Sequence, residues 1–212
     1  MAAEIWKNYF DVAILPPPEV AKYAVELSTR LNRYGTGFVL GPTSYIPHIS
    51  VYHIPVLAPA FRDFSEAVMA VAESCSGGRL QLNSLEMPVV QTDKPLWLRR
   101  LHRDVVNATV CYFDWDYGAQ ENWHTDYLPD RLKVHAERNL HKYGSPLIGS
   151  VFRPHITLTS FTNKAVVSEI PTFEIEPLSF EVKEIAICEL GPHHSCQRIV
   201  SKFRLNGKGN RK

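Results

Sequence analysis

The sequence predicts an α+β domain with two lobes related by a pseudo-twofold axis. Predicted elements follow the order strand, helix, strand, helix, strands, and then helix, strand, strands. In addition, two strands at similar places in the two halves begin with nearly the same phrase, "PHIS" at His48 and "PHIT" at His155. The surroundings of the two phrases differ too much for a sequence repeat. Symmetry is therefore expected in the fold and not in the sequence.

The first half of the chain contains two strands, each followed by a helix. "YFDVAIL" is a short apolar strand, and "PPPEV" ends it and opens a helix, because proline suits the first helical turn. Helical spacing in this first helix is shown by Val20, Ala24, Leu27 and Leu31. "HISVYHI" is the second strand. One face of the helix after it is marked by Phe61, Phe64, Val68, Val71 and Cys75.

The second half begins with two predicted strands, "RLQLNSLEMPVV" and "LWLRRL", and a helix in "HRDVVNATVCYF". Residues 114–130 are polar and aromatic and are expected to form a long surface loop. Loops of this length are uncommon unless they are functional or disordered. "RLKVHAERNLHKYG" is the next helix, and the last strands lie in "FRPHITLTSF", "FEIEPLSFEVKEIAICEL" and "QRIVSKFRL". We expect one domain over residues 1–205 and a disordered basic tail over 206–212.

Composition limits the classes of partner. The net charge is +1 over 212 residues, which argues against a broad electrostatic surface for long duplex nucleic acid but leaves a nucleotide or an RNA 3′-end as a ligand. The four cysteines form no CxxC pair, which favours reduced thiols in a cytoplasmic protein. No apolar run approaches the roughly 20 residues that span a bilayer, so no membrane contact is expected. We expect a monomer.

Each PHI(S/T) phrase places an imidazole beside a hydroxyl group. Residues two apart in a strand share a face, so His48 is expected beside Ser50 and His155 beside Thr157, with the isoleucines between them facing the core. Histidine transfers protons near neutral pH, and a hydroxyl can donate to a phosphate oxygen. Two such units could clamp one phosphate. The alternative is a pair of half-buried strand histidines with no chemical role.

The two phrases, with the opening "YFDVAILPPPEV", resemble the 2H phosphoesterase superfamily, which includes the RNA 2′,3′-cyclic phosphodiesterases. The resemblance in the order of elements covers roughly residues 8 to 205. It implies a bilobal α+β fold in which two antiparallel sheets face each other across a cleft, with helices outside. It also implies metal-independent chemistry at a phosphodiester, with no cofactor.

Carried over by position, the resemblance makes His48 and His155 the acid/base pair and Ser50 and Thr157 the phosphate-binding residues. By analogy, His155 activates water and His48 protonates the departing ribose oxygen, although the sequence itself does not distinguish these roles. Thr159-Ser160 stands where many relatives have an arginine. Arg153 could replace that charge, or it could be an exposed arginine without a ligand.

Several other residues are possible substrate contacts. Tyr52 and Trp97 could stack on a base, with core packing as the alternative. His194 and Ser195 occur in a third H-x-S match without the apolar middle residue, which predicts a turn that could border the cleft. His53 is expected to point away from His48. The spacing of Cys188, His193, His194 and Cys196 is not that of a zinc site, so no metal is expected.

The function that follows from these expectations is hydrolysis of a nucleoside or oligonucleotide 2′,3′-cyclic phosphate, with a 2′-phosphate as the product. Two alternatives remain. The same histidine pair could cleave a 2′,5′-linked oligonucleotide, or the cleft could bind RNA ends or nucleotides without catalysis.

Overall fold

The computed structural model describes residues 8–118, 128–171 and 173–207. The strands are β1 (Tyr9–Ile14), β2 (Ile49–Pro55), β3 (Gly78–Glu86), β4 (Val89–Thr92), β5 (His155–Thr157), β6 (Ser179–Val182), β7 (Glu184–Gly191) and β8 (Ser195–Arg204). The helices are α1 (Pro18–Leu31), α2 (Phe61–Ser74), α3 (Leu96–Thr109), the short α4 (Trp115–Gly118) and α5 (Asp130–Tyr143).

The helices α1, α2 and α5 lie where the sequence predicts them. The apolar faces of α1 and α2 are largely buried as expected, and α1 has proline in its first turn. Helix α5 ends at Gly144, which has a φ of 67°. A Cβ atom there would collide with the ring of Phe113, so both the backbone and the packing require glycine.

The prediction that "LWLRRL" forms a strand is wrong. These residues form the first turns of α3, directly after Pro95. The second strand of this region is β4, which lies within "MPVVQT". The helical period continues through the segment, because its buried residues recur three and four positions apart: Leu98, Leu101, His102, Val105, Val106 and Thr109. The short apolar run had hidden this longer period.

The eight strands form one antiparallel sheet in the order β6-β3-β4-β5-β2-β1-β7-β8. This confirms the α+β fold and its division into halves of four strands. The two expected sheets are joined edge to edge, because β2 and β5 pair at the centre through Ile49 and Ile156. The two strands that carry the PHI phrases are therefore neighbours.

The main core lies between the helices and one face of this sheet. Strand β1 shows the division: Phe10, Val12 and Ile14 face this core. Tyr9 and Ala13 instead belong to a smaller buried cluster on the opposite face, together with residues of β7 and β8. We call this opposite face, which also carries His48 and His155, the cleft face.

The two ends of the expected domain and the long loop are only partly described. Asn206 and Gly207 donate backbone N–H groups to Ala72 and Cys75 at the end of α2, so the ordered chain continues past 205. Residues 208–212 of the predicted tail lie outside the described residues, as do residues 119–127 of the predicted loop. Within the described ranges, none of the helices combines the length and the apolar character that crossing a membrane requires.

Candidate active site

The four residues of the paired motif surround the junction between β2 and β5. Ile49 and Ile156 are paired across the strands and fully buried in the main core. Extending that antiparallel register by one residue on each side places His48 opposite Thr157 and Ser50 opposite His155. The two imidazoles are thus diagonal neighbours on the cleft face, with Cβ atoms about 7–8 Å apart in typical sheet geometry.

Both histidines are held by the same hydrogen bond. Nδ1 of His48 donates to the carbonyl oxygen of Ile46 at 2.8 Å, and Nδ1 of His155 donates to that of Arg153 at 2.6 Å. Because a carbonyl oxygen only accepts, Nδ1 carries the proton in each neutral ring and Nε2 is left with its lone pair. The proline between carbonyl and histidine in each phrase is part of this repeated turn. Each motif therefore presents a basic nitrogen in a fixed orientation.

A buried carboxyl group lies beneath the first motif. Asp11 on β1 is fully buried, accepts a hydrogen bond from the Ser50 hydroxyl at 2.7 Å, and has its Oδ2 atom 3.6 Å from Nε2 of His48. Its other oxygen, Oδ1, has no hydrogen-bond partner in the described part of the chain. Sequence reasoning missed this residue. The signal was a single acid in the otherwise apolar strand "YFDVAIL".

Burial makes both members of this contact neutral near pH 7. Desolvation raises the pKa of Asp11 to about 8, against a smaller lowering by the Ser50 hydrogen bond. Desolvation also lowers the pKa of His48 to about 4. The carboxyl group is therefore protonated and the imidazole is uncharged, and their contact is not an ion pair.

The two hydroxyl groups differ in their surroundings. The Ser50 hydroxyl donates its proton to Asp11, so it can donate to a phosphate oxygen only after turning away from this carboxyl group. The Thr157 hydroxyl makes no hydrogen bond to any other described residue, and the side chain is half-buried. Of the two predicted phosphate-binding residues, Thr157 is thus the available donor.

A β-bulge in β2 overturns the expected orientation of two residues. Val12 pairs with Tyr52 and Ala13 with Ser50, which leaves Val51 as the extra residue. The bulge reverses the alternation after Val51, since the side-chain period in a strand is two. The carbonyl of Val51 accepts a hydrogen bond from His102 of α3 at 2.7 Å, which fixes the bulge from the helix side.

Tyr52 therefore packs in the main core, and although it also lines a narrow pocket with Ser50 and His155, its burial argues against the predicted stacking on a base. Its side chain is only 3% exposed, and its hydroxyl donates to the carbonyl of Tyr143. His53, which the sequence placed away from His48, is instead paired with Asp11 and lies on the cleft face. Burial has the largest effect and lowers the pKa of His53 well below its usual value, and the nearby imidazoles of His194, His48 and His155 lower it further.

Arg153 lies at the motif as expected. It lines a narrow pocket that also includes Ser50, His53 and His155, and it forms an ion pair with Glu86 at 2.6 Å. The prediction for Trp97 is wrong. Its indole nitrogen donates to the carbonyl of Arg79 on β3, against Gly78, because the residue belongs to helix α3 and packs on the sheet.

The third match forms a turn between β7 and β8, as predicted. The ring of His194 stacks on His53 with 5.2 Å between centroids, so this turn reaches the cleft-face cluster. Ser195 is only 4% exposed, donates to the carbonyl of Pro192 and accepts from Gln197. Its hydroxyl is used inside the turn, which argues against a ligand contact. Across residues 8–118, 128–171 and 173–207, no three His, Cys, Asp or Glu side chains are grouped to hold a metal ion.

Comparison with known proteins gives matches among solved structures. No family model matches the chain, and no curated protein sequence does. TT0787 of Thermus thermophilus is 16% identical, with coverage of 94% of this chain and 99% of that one and a TM-score of 0.60. E. coli LigT, crystallised with NADP+, is 15% identical, with coverage of 94% and 98% and a TM-score of 0.54. A structure described as a phosphoesterase is 14% identical, with coverage of 93% and 98% and a TM-score of 0.53.

The chain has the LigT-like fold of the 2H phosphoesterases. The match extends over nearly the full length of each chain, so the LigT-like fold includes both halves of the sheet and the junction between β2 and β5. At such low identity the likeness concerns the fold. The chemistry must be argued from the residues at the junction.

Proposed function

We propose that the chain is a phosphodiesterase that opens 2′,3′-cyclic phosphates of nucleosides or oligonucleotides by proton transfer between two histidines. The diagonal arrangement of His48 and His155 about the β2–β5 junction carries the proposal. Both rings present Nε2, and one phosphorus centre between them would be reached from two sides. Proton transfer by the imidazoles and a hydroxyl donor for the phosphate are together sufficient for the reaction, so no metal ion is required.

His155 is assigned as the general base. Burial lowers its pKa and outweighs the hydrogen bond to the Arg153 carbonyl, which raises it; the opposing charges of Arg153 and Glu86 have smaller effects. Its Nε2 is therefore unprotonated near neutral pH. In the proposed step Nε2 takes a proton from water while the water oxygen attacks phosphorus. The bond between phosphorus and the 3′-oxygen breaks, which leaves the phosphate on the 2′-oxygen.

His48 is assigned as the general acid, because the adjacent Asp11 holds a proton. A phosphate anion bound beside His48 favours the imidazolium form, so the proton of Asp11 would move to Nε2. Nε2 then donates it to the departing 3′-oxygen. Proton exchange with solvent returns both histidines to their starting states.

The test is a panel of substrates assayed in EDTA, with the position of the product phosphate determined by NMR. Adenosine 2′,3′-cyclic phosphate should be hydrolysed to the 2′-phosphate, while cleavage of 2′,5′-linked oligoadenylate alone would favour the rival phosphodiesterase. Binding of these compounds without turnover would indicate a nucleotide-binding protein. E. coli LigT has been crystallised with 3′-AMP, which supports the choice of adenine nucleotides.

The histidine roles predict large and specific losses. His48→Ala and His155→Ala should each lower kcat by ~10²–10⁴, the usual contribution of general acid–base catalysis. His135→Ala is the matched control, since His135 is exposed on α5. Full activity in either cleft variant, or loss of wild-type activity in EDTA, would contradict the proposal.

A further inference from the structure

A second, larger cavity lies beside the candidate active site. It has a volume of about 410 Å³ and opens between α3 and the segment that connects α5 to β5. Its cationic side chains come from Lys94, Arg99 and Arg103, and its apolar walls from Val106, Tyr143, Ile148 and Phe152. The volume is within the range of about 300–1,000 Å³ that is typical of pockets for small ligands.

The charges around this cavity are largely uncompensated. None of the described residues that line it is acidic, and of its three cationic side chains Arg103 forms an ion pair, with Asp104 at 2.8 Å. Arg99 is exposed and forms no ion pair within the described ranges. Among the described residues, Lys94 donates only to the carbonyl of Phe152, and its pKa is lowered by burial, then by Arg99 and Arg153. A bound anion would relieve this repulsion.

The buried imidazole in the cavity wall does not contribute to this charge. His102 donates from Nδ1 to Val51 and accepts at Nε2 from the backbone N–H of Gly149 at 3.2 Å. Burial, the largest effect, lowers its pKa to about 4. Its ring stacks on Phe152 at 3.9 Å and stays neutral, so His102 supports the wall while the lysine and the arginines supply the charge.

The cavity and the active site share one wall. Ile148 and Phe152 line both the cavity and the narrow pocket that includes His155. Lys94 binds the carbonyl of Phe152, and His155 binds that of the next residue, Arg153. Two residues, Arg153 and Pro154, lie between Phe152 and His155, whose Cα atoms are therefore at most ~11 Å apart when the chain is fully extended. Lys94 and Arg99 thus carry positive charge beside this shared wall, while Arg153 is paired with Glu86.

We propose that this cavity binds the nucleotide that precedes the 3′-terminal one, with its phosphate at Lys94, Arg99 and Arg103 and its base against the apolar wall. This inference rests on the proposed function and names its substrate class: an oligonucleotide end and not a free cyclic mononucleotide. Single-stranded nucleic acid is commonly held in this way, by cations along its backbone and apolar or aromatic surface under its bases.

The kinetic test compares two substrates with the same terminal nucleotide, adenosine 2′,3′-cyclic phosphate and the dinucleotide ApA with a terminal 2′,3′-cyclic phosphate. Wild type should prefer the dinucleotide in kcat/KM. Arg99→Gln should lower the ratio of the two kcat/KM values about tenfold, while Arg100→Gln should leave the ratio unchanged. Arg100 is the matched control, because it is the adjacent exposed arginine on α3 and does not line the cavity.

A binding test separates failure of this inference from failure of the proposed function. Titration calorimetry with ApA 3′-phosphate and with 3′-AMP requires no turnover. Tighter binding of the dinucleotide, lost in Arg99→Gln and retained in Arg100→Gln, supports the cavity even if no cyclic phosphate is hydrolysed. Equal affinities for the two ligands in wild type, or equal losses in the two variants, would overturn the inference.

Discussion

Replacing the buried carboxyl group gives the sharpest test of the electrostatics at the first motif. Burial raises the pKa of Asp11 from 3.8 to about 8. Between these values the folded protein binds one proton more at this carboxyl than the unfolded chain, so wild-type stability falls as pH rises. The slope is about 1.4 kcal/mol per pH unit, and the accumulated loss at pH 7 is at most roughly 4 kcal/mol.

Asp11→Asn removes this titration while retaining an oxygen that can accept from Ser50. The free energy of unfolding of the variant minus that of wild type should therefore increase steadily between pH 4 and pH 8 and level off above pH 8. The amide places two N–H donors in a buried site where the protonated carboxyl has one O–H, and this costs free energy that shifts the whole curve without changing its slope.

Urea unfolding of both proteins at pH 5, 6, 7 and 8 measures this difference, and the titrations that they share largely cancel. Asp130→Asn is the control. The Asp130 side chain is 95% exposed, and its pKa is lowered by a hydrogen bond from Lys133, so its contribution is lost only as pH falls below about 4. Parallel curves for wild type and Asp11→Asn would refute the reasoning, since they would mean that Asp11 is ionised in the folded protein.

Three further predictions concern the buried histidines, the Tyr52 hydroxyl and the Thr157 hydroxyl. Burial lowers the pKa values of His48, His102 and His194 to about 4. The unfolded chain therefore binds protons at these histidines more readily than the folded protein does, and protonating them destabilises the fold. In the Asp11→Asn background, stability in urea should fall as pH drops from 6.5 to 4, by up to about 3 kcal/mol for each ring, and a flat profile would contradict this. Tyr52→Phe should lower the free energy of unfolding in urea by about 1–3 kcal/mol, because the Tyr143 carbonyl loses its donor, and it should leave kcat unchanged. A lower kcat would indicate that the Tyr52 hydroxyl takes part in the reaction. Thr157→Val should weaken inhibition by adenosine 2′-monophosphate at least tenfold, the weight of a hydrogen bond to a charged group, and unchanged inhibition would show that Thr157 does not bind the phosphate.

The sequence predicted the parts of the fold that repeat a regular period. Helices α1 and α2 were recognised because their apolar residues recur every three or four positions, and α5 because Pro129 and Asp130 stand at its start and Gly144 at its end. The PHI phrases were informative because an apolar residue between histidine and hydroxyl fixes which side faces the core. Ile49 and Ile156 do face it, so the four polar side chains share the other face.

The parts that failed depend on contacts between distant segments. The bulge at Val51 adds one residue to β2 and leaves no mark in the period of "ISVYHIP", yet it exchanges the faces of Tyr52 and His53. What holds it is His102, from another helix, which no local pattern connects to Val51. Asp11 was visible as an acid in an apolar strand, but its partner lies 39 positions away.

The structure combines a symmetric frame with unequal chemistry, and this inequality allows the two histidines to have different roles. Each ring is fixed by the same bond to the carbonyl two residues earlier. Their neighbours differ: Asp11, with its proton, lies beside His48, and Arg153 lies beside His155. In the proposed mechanism the carboxylic acid supplies a proton to one imidazole, while burial, with a smaller effect of the guanidinium, keeps the other one deprotonated. If the two neighbours were exchanged, His48 would become the base and His155 the acid. Removing either neighbour should instead weaken one of the two proton transfers and leave the geometry of the junction intact.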